Sequence, residues 1–289
     1  MLQDKTSSPI GRSIIEAKQK NYTQLAAFLN QNNHVHRHLD WLSALDWVGS
    51  RPYLMELVNL QLQAILCAAP ENDQVAWVRV FGVRKDLPAD EHWKRLLPKA
   101  LQELGEMKIS CLAGLALHPW FETLLMDSGF VNRQNIIVLE WQGEFPKISL
   151  HDDIQIRSMQ PEDLPSVKKI DRLAFPPLWQ NSLVGLSRAH NQTGISTTAL
   201  INGEIVGYQI STSMTIYGHL ARLAVHPDCQ QKGIASTLLF DLLTQFGKRG
   251  ISQITVNTQS DNNPSLALYK KFDFIRTHES FRVYQHSLD

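Results

Sequence analysis

Six residues in the C-terminal half, Gln230-Gln231-Lys232-Gly233-Ile234-Ala235, have the types and spacing to hold an anion. The run before them, Leu220 to Val225, is short and apolar and reads as a buried strand. After them, Leu238, Leu239, Leu242, Leu243 and Phe246 recur at the three-and-four spacing of one helical face. A strand that turns through a glycine-bearing loop into a helix presents unpaired backbone N–H groups and the positive end of the helix dipole. Together these favour a phosphate. Two common phosphate loops are excluded: no Gly-Lys-Ser or Gly-Lys-Thr occurs, and Gly233 has no partner at the G-x-G-x-x-G spacing. What remains is Q-x-x-G-x-A, read as Gln230, Gly233 and Ala235.

A second block lies downstream. Ile254 to Asn257 reads as another buried strand, followed by Asn262, Ser265, Leu268, Tyr269 and Phe274 in the pattern N-x-x-S-x-x-L-Y with a closing aromatic. Pro264 suits the first turn of a helix, where its missing N–H costs nothing. Together the two blocks resemble the GNAT superfamily of N-acetyltransferases, over roughly residues 154 to the end. One departure is Asp273, where the family usually has Gly; a left-handed turn tolerates Asp next best.

The resemblance implies acetyl-CoA as co-substrate. The amides of Gln231, Lys232, Gly233, Ile234, Ala235 and Ser236, with Gln230, would hold its pyrophosphate. Leu223, Ala224 and Val225 would line its pantetheine arm, with the backbone of Leu223 and Val225 pairing to its amides, and Asn262 would hydrogen-bond it near Tyr269. A backbone N–H near Val225 would stabilise the oxyanion, and Tyr269 stands where the family places its general acid. His219 matches the position of a catalytic glutamate in some members and could take the proton of a primary ammonium. Phe175-Pro176-Pro177-Leu178-Trp179 is similar to a segment of ribosomal-protein alanine N-acetyltransferases, but their base position is Thr255 here. The acceptor is expected to be a small molecule or peptide amine. A non-catalytic acyl-CoA sensor or interaction module is the alternative, kept open by the lack of an obvious carboxylate base.

These residues need an α/β scaffold with a mixed sheet. Ile154 to Arg157 opens with a strand, and a helix from Pro161 carries Leu164, Val167, Ile170 and Leu173. A second helix is expected from Gln180 to Ala189. Strands over 195–201 and 204–211 flank Asn202-Gly203, a strong hairpin signal, and a third begins near His219. By alternation His219, Ala221, Leu223 and Val225 share a face. The fourth and fifth strands are expected to lie parallel and splay where the cofactor enters.

The first half gives strand-like runs at 53–58, 61–68 and 74–83, a helix over 90–104, a strand over 108–112, a helix near 120–128 and a strand over 131–141. Leu125 to Phe130 echoes Tyr269 to Phe274, suggesting a duplicated fold. Two tandem GNAT-like domains are expected, at 1–145 and 150–289, with a linker from Gln142 to Lys147. The first is read as degenerate and non-catalytic, since Arg84 to Asp90 lacks the loop pattern and Leu125 replaces the tyrosine.

Lys plus Arg equals Asp plus Glu at 28 each, so no basic field gathers nucleic acid. No run of 18 apolar residues suggests a membrane span, and Met1 to Lys5 starts no secretory segment, so a cytoplasmic protein is expected. Cys67, Cys111 and Cys229 imply no disulfide frame. Cys229 is read as a small side chain rather than a nucleophile. His34, His36 and His38 alternate as ligands might, but no cysteine accompanies them and no metal is expected. A homodimer is left open.

Overall fold

A computed structural model of the chain describes residues 11–31, 33–144 and 153–288. Met1 to Lys5, and Phe145, Pro146 and Lys147 of the expected linker, lie outside the described residues. The chain forms two compact units, one of residues 1–131 with 284–289 and one of residues 132–283. No helix of the described residues is long and apolar enough to cross a membrane.

The first unit runs β1 (Arg12–Glu16), α1 (Tyr22–Asn30), β2 (His34–Arg37), β3 (Tyr53–Val58), β4 (Gln61–Cys67), β5 (Val75–Trp77), β6 (Val80–Val83), α2 (Ala89–Glu106), β7 (Cys111–Ala116) and α3 (Pro119–Asp127). Its antiparallel sheet has the order β1-β3-β4-β6-β2, and β5 pairs parallel with β7. The expected strand over 74–83 is thus two pieces, separated where Val78 and Arg79 hand pairing from one neighbour to the other. The strand expected at 108–112 starts later, at Cys111, because α2 runs on to Glu106 and Lys108 turns the chain with φ of 61°. Sequence patterning gave no element before residue 53, where β1, α1 and β2 lie.

The second unit contains nearly all of β8 (Val131–Trp141), then β9 (Gln155–Ser158), α4 (Leu164–Ala174), α5 (Leu183–Gln192), β10 (Ile195–Ile201), β11 (Glu204–Met214), β12 (Tyr217–Val225), α6 (Ile234–Lys248), β13 (Gln253–Gln259), α7 (Asn263–Lys271) and most of β14 (Phe274–Ser287). Its sheet order is β14-β8-β13-β12-β11-β10-β9. Helix α5 begins three residues later than expected. Gln180 instead hydrogen-bonds the carbonyls of Arg172 and Phe175, and the Ser182 hydroxyl caps the helix by accepting from Gly185 N–H at 3.0 Å. Strand β8, expected to close the first half, pairs antiparallel with β13 through Glu140 and Thr255.

One face of this sheet packs on α6 and α7. Leu220, Ile254, Val256, Leu139 and Trp141 join Leu239, Leu242, Phe246, Tyr269 and Phe272 in one buried cluster. Gly207 lets the start of α6 approach closely, since a Cβ there would stand 3.1 Å from both Ile234 Cγ2 and the Ala224 carbonyl oxygen. On the opposite face Asp171, fully buried on α4, accepts from the Tyr208 hydroxyl at 2.6 Å and from Arg222 Nε and Nη2 at 2.8 and 2.6 Å.

Candidate active site

Beyond Val225 the chain makes one turn, Pro227–Cys229, and enters α6. Gln231 and Gly233 both take left-handed conformations, with φ of 62° and 81°. Alternating hands of this kind curl successive N–H groups toward one side, forming a concave anion site. Among the described residues, no acceptor engages the backbone N–H groups of Gln231 through Ser236; the first bond of the helix runs from Thr237 N–H to the Gly233 carbonyl at 2.9 Å. These amides fit a pyrophosphate. Cys229, as expected of a small side chain, packs with Ile234 and Leu238.

Next to this loop the sheet opens. Strands β12 and β13 are parallel and paired only from Tyr217 with Gln253 to Leu220 with Val256. Farther along, β13 continues against β8, and among the described residues Ala221–Val225 have no strand on that side. On the other side, His226 N–H donates to the Val206 carbonyl at 2.8 Å, and Ala224 faces Tyr208 in register. Alternation along an antiparallel strand then turns the backbone groups of Ala224 to β11 and those of Leu223 and Val225 to the open edge. Ala224 therefore offers no backbone group to a ligand there. Gln230 Nε2 donates to the Val225 carbonyl at 3.2 Å, linking the loop to the strand.

The expected common face of His219, Ala221, Leu223 and Val225 does not form. The pairing of β12 with β11 shifts between Ile210 and Ser211, leaving Ala221 as a bulge that reverses the alternation. Leu223 and Val225 consequently pack toward Ile234 and Leu238, whereas His219 lies on the other face, next to the point where the strands part. Its Nδ1 shares a hydrogen bond with Thr255 Oγ1 at 2.8 Å, and burial lowers its pKa, so the ring is neutral near pH 7. The two positions weighed for a base, His219 and Thr255, are thus side by side. They border a groove of about 580 Å³ that Thr212, Glu140, Thr277 and Glu279 also line.

Tyr269 is 5% exposed, its ring 5.6 Å from Phe274, and burial raises its pKa so that the hydroxyl stays protonated. Among the described residues that hydroxyl has no hydrogen-bond partner. Asn262 is placed differently from expectation. Its Oδ1 caps α7 by accepting from Ser265 N–H at 3.3 Å and its Nδ2 donates to Gln259, so its side chain is engaged in holding the helix that carries Tyr269. Asp273 takes the left-handed turn as expected, with φ of 61°, and Gly129 does the same before Phe130.

Sequence reasoning missed the layer over the α4 face. Arg222 donates to the Trp179 carbonyl at 2.6 Å and lies 3.8 Å over the Phe175 ring, and Trp179 Nε1 donates to Gln134 at 2.7 Å. An acid beside the apolar face of α4 and a lone arginine inside an apolar strand were the available signals. Glu140, between Leu139 and Trp141, was a third.

In the first unit the equivalent edge is closed. Strand β6, which ends at Val83 as β12 ends at Val225, pairs along its free side with β2, from His34 with Val83 to Arg37 with Val80. Its own chain fills the slot left open in the second unit. Two histidines of that segment stack on rings, His36 on Phe121 at 3.8 Å and His38 on Trp77 at 4.5 Å, while His34 lies tilted 6.2 Å from Trp120.

Residues 164–274 match the acetyltransferase (GNAT) family. An acetyltransferase of Pectobacterium atrosepticum is 27% identical over 123 residues, 42% of this chain and 87% of that relative. Among solved structures, a tandem GNAT protein from the clavulanic acid biosynthesis pathway aligns over 97% of this chain and 99% of its own, at 10% identity and a TM-score of 0.64. A GCN5-related N-acetyltransferase of Anabaena variabilis aligns over 96% of this chain and 73% of its own, at 14% identity and a TM-score of 0.69. At these identities the two structures are likenesses of fold, and they extend to both halves of the chain.

Proposed function

We propose that this chain, whose residues 164–274 form a GNAT-family acetyltransferase domain, transfers the acetyl group of acetyl-CoA to a primary amine by direct attack in a ternary complex. One observation carries the reading. The parallel pairing of β12 and β13 stops at Leu220 and Val256, and the open edge beyond leads straight to the unengaged amides at the start of α6. A slot that is lined by backbone polar groups and ends in an anion cradle suits a long amide-bearing arm joined to a pyrophosphate.

Acetyl-CoA supplies the activated acyl carbonyl. The amides of Gln231–Ser236 hold its phosphates, and the backbone of Leu223 and Val225 pairs with its arm. A backbone N–H at the end of β12 would stabilise the carbonyl oxygen, where charge develops. A primary ammonium with a pKa of about 10.4 must lose a proton before it can attack. His219, kept neutral by burial, takes that proton directly or through water. For Nε2 to accept it, Nδ1–H must be the donor to Thr255. Tyr269, kept protonated by burial, gives its proton to the departing sulfur.

The test is thiol release from acetyl-CoA across an amine library, with wild type, Tyr269→Phe and His219→Ala compared. The proposal expects acceptor-dependent release that both substitutions reduce. Tight cofactor binding with no acceptor-dependent release would make the chain a sensor.

A further inference from the structure

We propose that the groove beside His219 takes cationic amines that carry no carboxylate, with Glu140 as the residue that binds the reacting ammonium. This rests on the reading of acetyl transfer at the β12–β13 opening and names its acceptor class.

Glu140, Thr255 and His219 form one row across three adjacent strands, Glu140 opposite Thr255 on β8 and Thr255 opposite His219 on β12. Directly paired residues project to the same face of a sheet, so the carboxylate stands one strand from Thr255 and two, or roughly 10 Å, from the histidine. Glu140 is half-buried, and among the described residues it has no ion-pair or hydrogen-bond partner. The unit's other sheltered acids are engaged: Asp171 is held by Arg222, Asp163 by Arg157, and Asp241 accepts a hydrogen bond from Gln245 at 2.7 Å. A sheltered carboxylate left open beside a groove is a place for a ligand cation.

The groove's charged and titratable groups point the same way. They are Glu140 on β8, Glu279 and His278 on β14, and His219 and Tyr217 on β12; β11 and β13 contribute only neutral side chains, and among the described residues neither lysine nor arginine lines it. An α-carboxylate brought in with the amine would meet two acids and no fixed cation, which selects against free amino acids. A second ammonium on the acceptor would be welcome.

A matched pair of acceptors tests this: 1,4-diaminobutane and L-ornithine, which differ by one carboxylate. Thiol release should favour the diamine in kcat/KM by roughly 10-fold or more, the effect of one unpaired charge. Glu140→Gln should cut the diamine's kcat/KM by about 10- to 100-fold, mainly through KM. It should also narrow the preference over ornithine and leave calorimetric affinity for acetyl-CoA within about twofold. Glu140→Asp should recover part of the loss. Three results overturn the proposal: ornithine used as well as the diamine, an unchanged KM in Glu140→Gln, or a wild-type protein that binds acetyl-CoA yet neither binds nor acetylates 1,4-diaminobutane. Wild-type protein that fails to bind acetyl-CoA would instead fail the underlying reading.

Discussion

Replacing Gly233 separates the two things the loop does, which are to hold a left-handed turn and to meet an anion. Its φ of 81° is disfavoured for most L residues by about 1–2 kcal/mol, but Asn and Asp tolerate it best. Gly233→Asn and Gly233→Asp therefore pay similar strain and differ by one charge. A carboxylate about 5 Å from one phosphate charge costs about 3 kcal/mol at an effective dielectric near 20, a factor of more than 100 in Kd. Calorimetric titration with acetyl-CoA should give one site per wild-type chain, since β2 occupies the matching edge of the first unit. Asn should weaken binding by less than about 10-fold. Asp should weaken it by 100-fold or more, with the gap between the two shrinking in high salt. Melting curves of the two variants should agree. Equal affinity of Gly233→Asp and wild type, with unchanged melting, would refute the placement of the pyrophosphate.

Tyr269→Phe should lower kcat by about 100-fold, the lower range for a general acid, while stability holds because the hydroxyl has no protein partner among the described residues. The acid limb of the kcat/KM profile should fall below pH 6.5, since burial lowers the His219 pKa and protonation removes its acceptor. The sign for stability is the same: unfolded protein binds the proton first as pH drops below 6.5, so acid costs stability, and His219→Gln should flatten both the rate profile and denaturant midpoints there. Asp171→Ala should cost about 3–5 kcal/mol by chemical denaturation, because it leaves Arg222 buried without its counterion.

The features most readable from sequence were those where local chemistry decides conformation. The turn at Asn202-Gly203 follows from tolerance of positive φ, and the start of α6 follows from Gly233 and the apolar period after it. The duplicated helix endings at Gly129 and Asp273 follow for the same reason. What escaped was set by pairing between distant segments. A bulge at Ala221 inverted the expected face of His219, and nothing near Ala221 announces a shift made against β11. Strand β2 reads as a loop until it is seen filling the edge of β6. Glu140 lies 79 positions before His219 in the chain, and only the register of β8 against β13 brings it to the groove. The left-handed loop at Gly233 was legible; the row of Glu140, Thr255 and His219 was not.

The most direct test of the account is the initial rate of thiol release with acetyl-CoA and the best library amine varied together. Direct attack in a ternary complex predicts amine-dependent rates whose double-reciprocal lines intersect. Parallel lines would mean that the acetyl group first moves to the protein, as in ping-pong transfer, and would contradict the roles given to His219 and the open edge of β12.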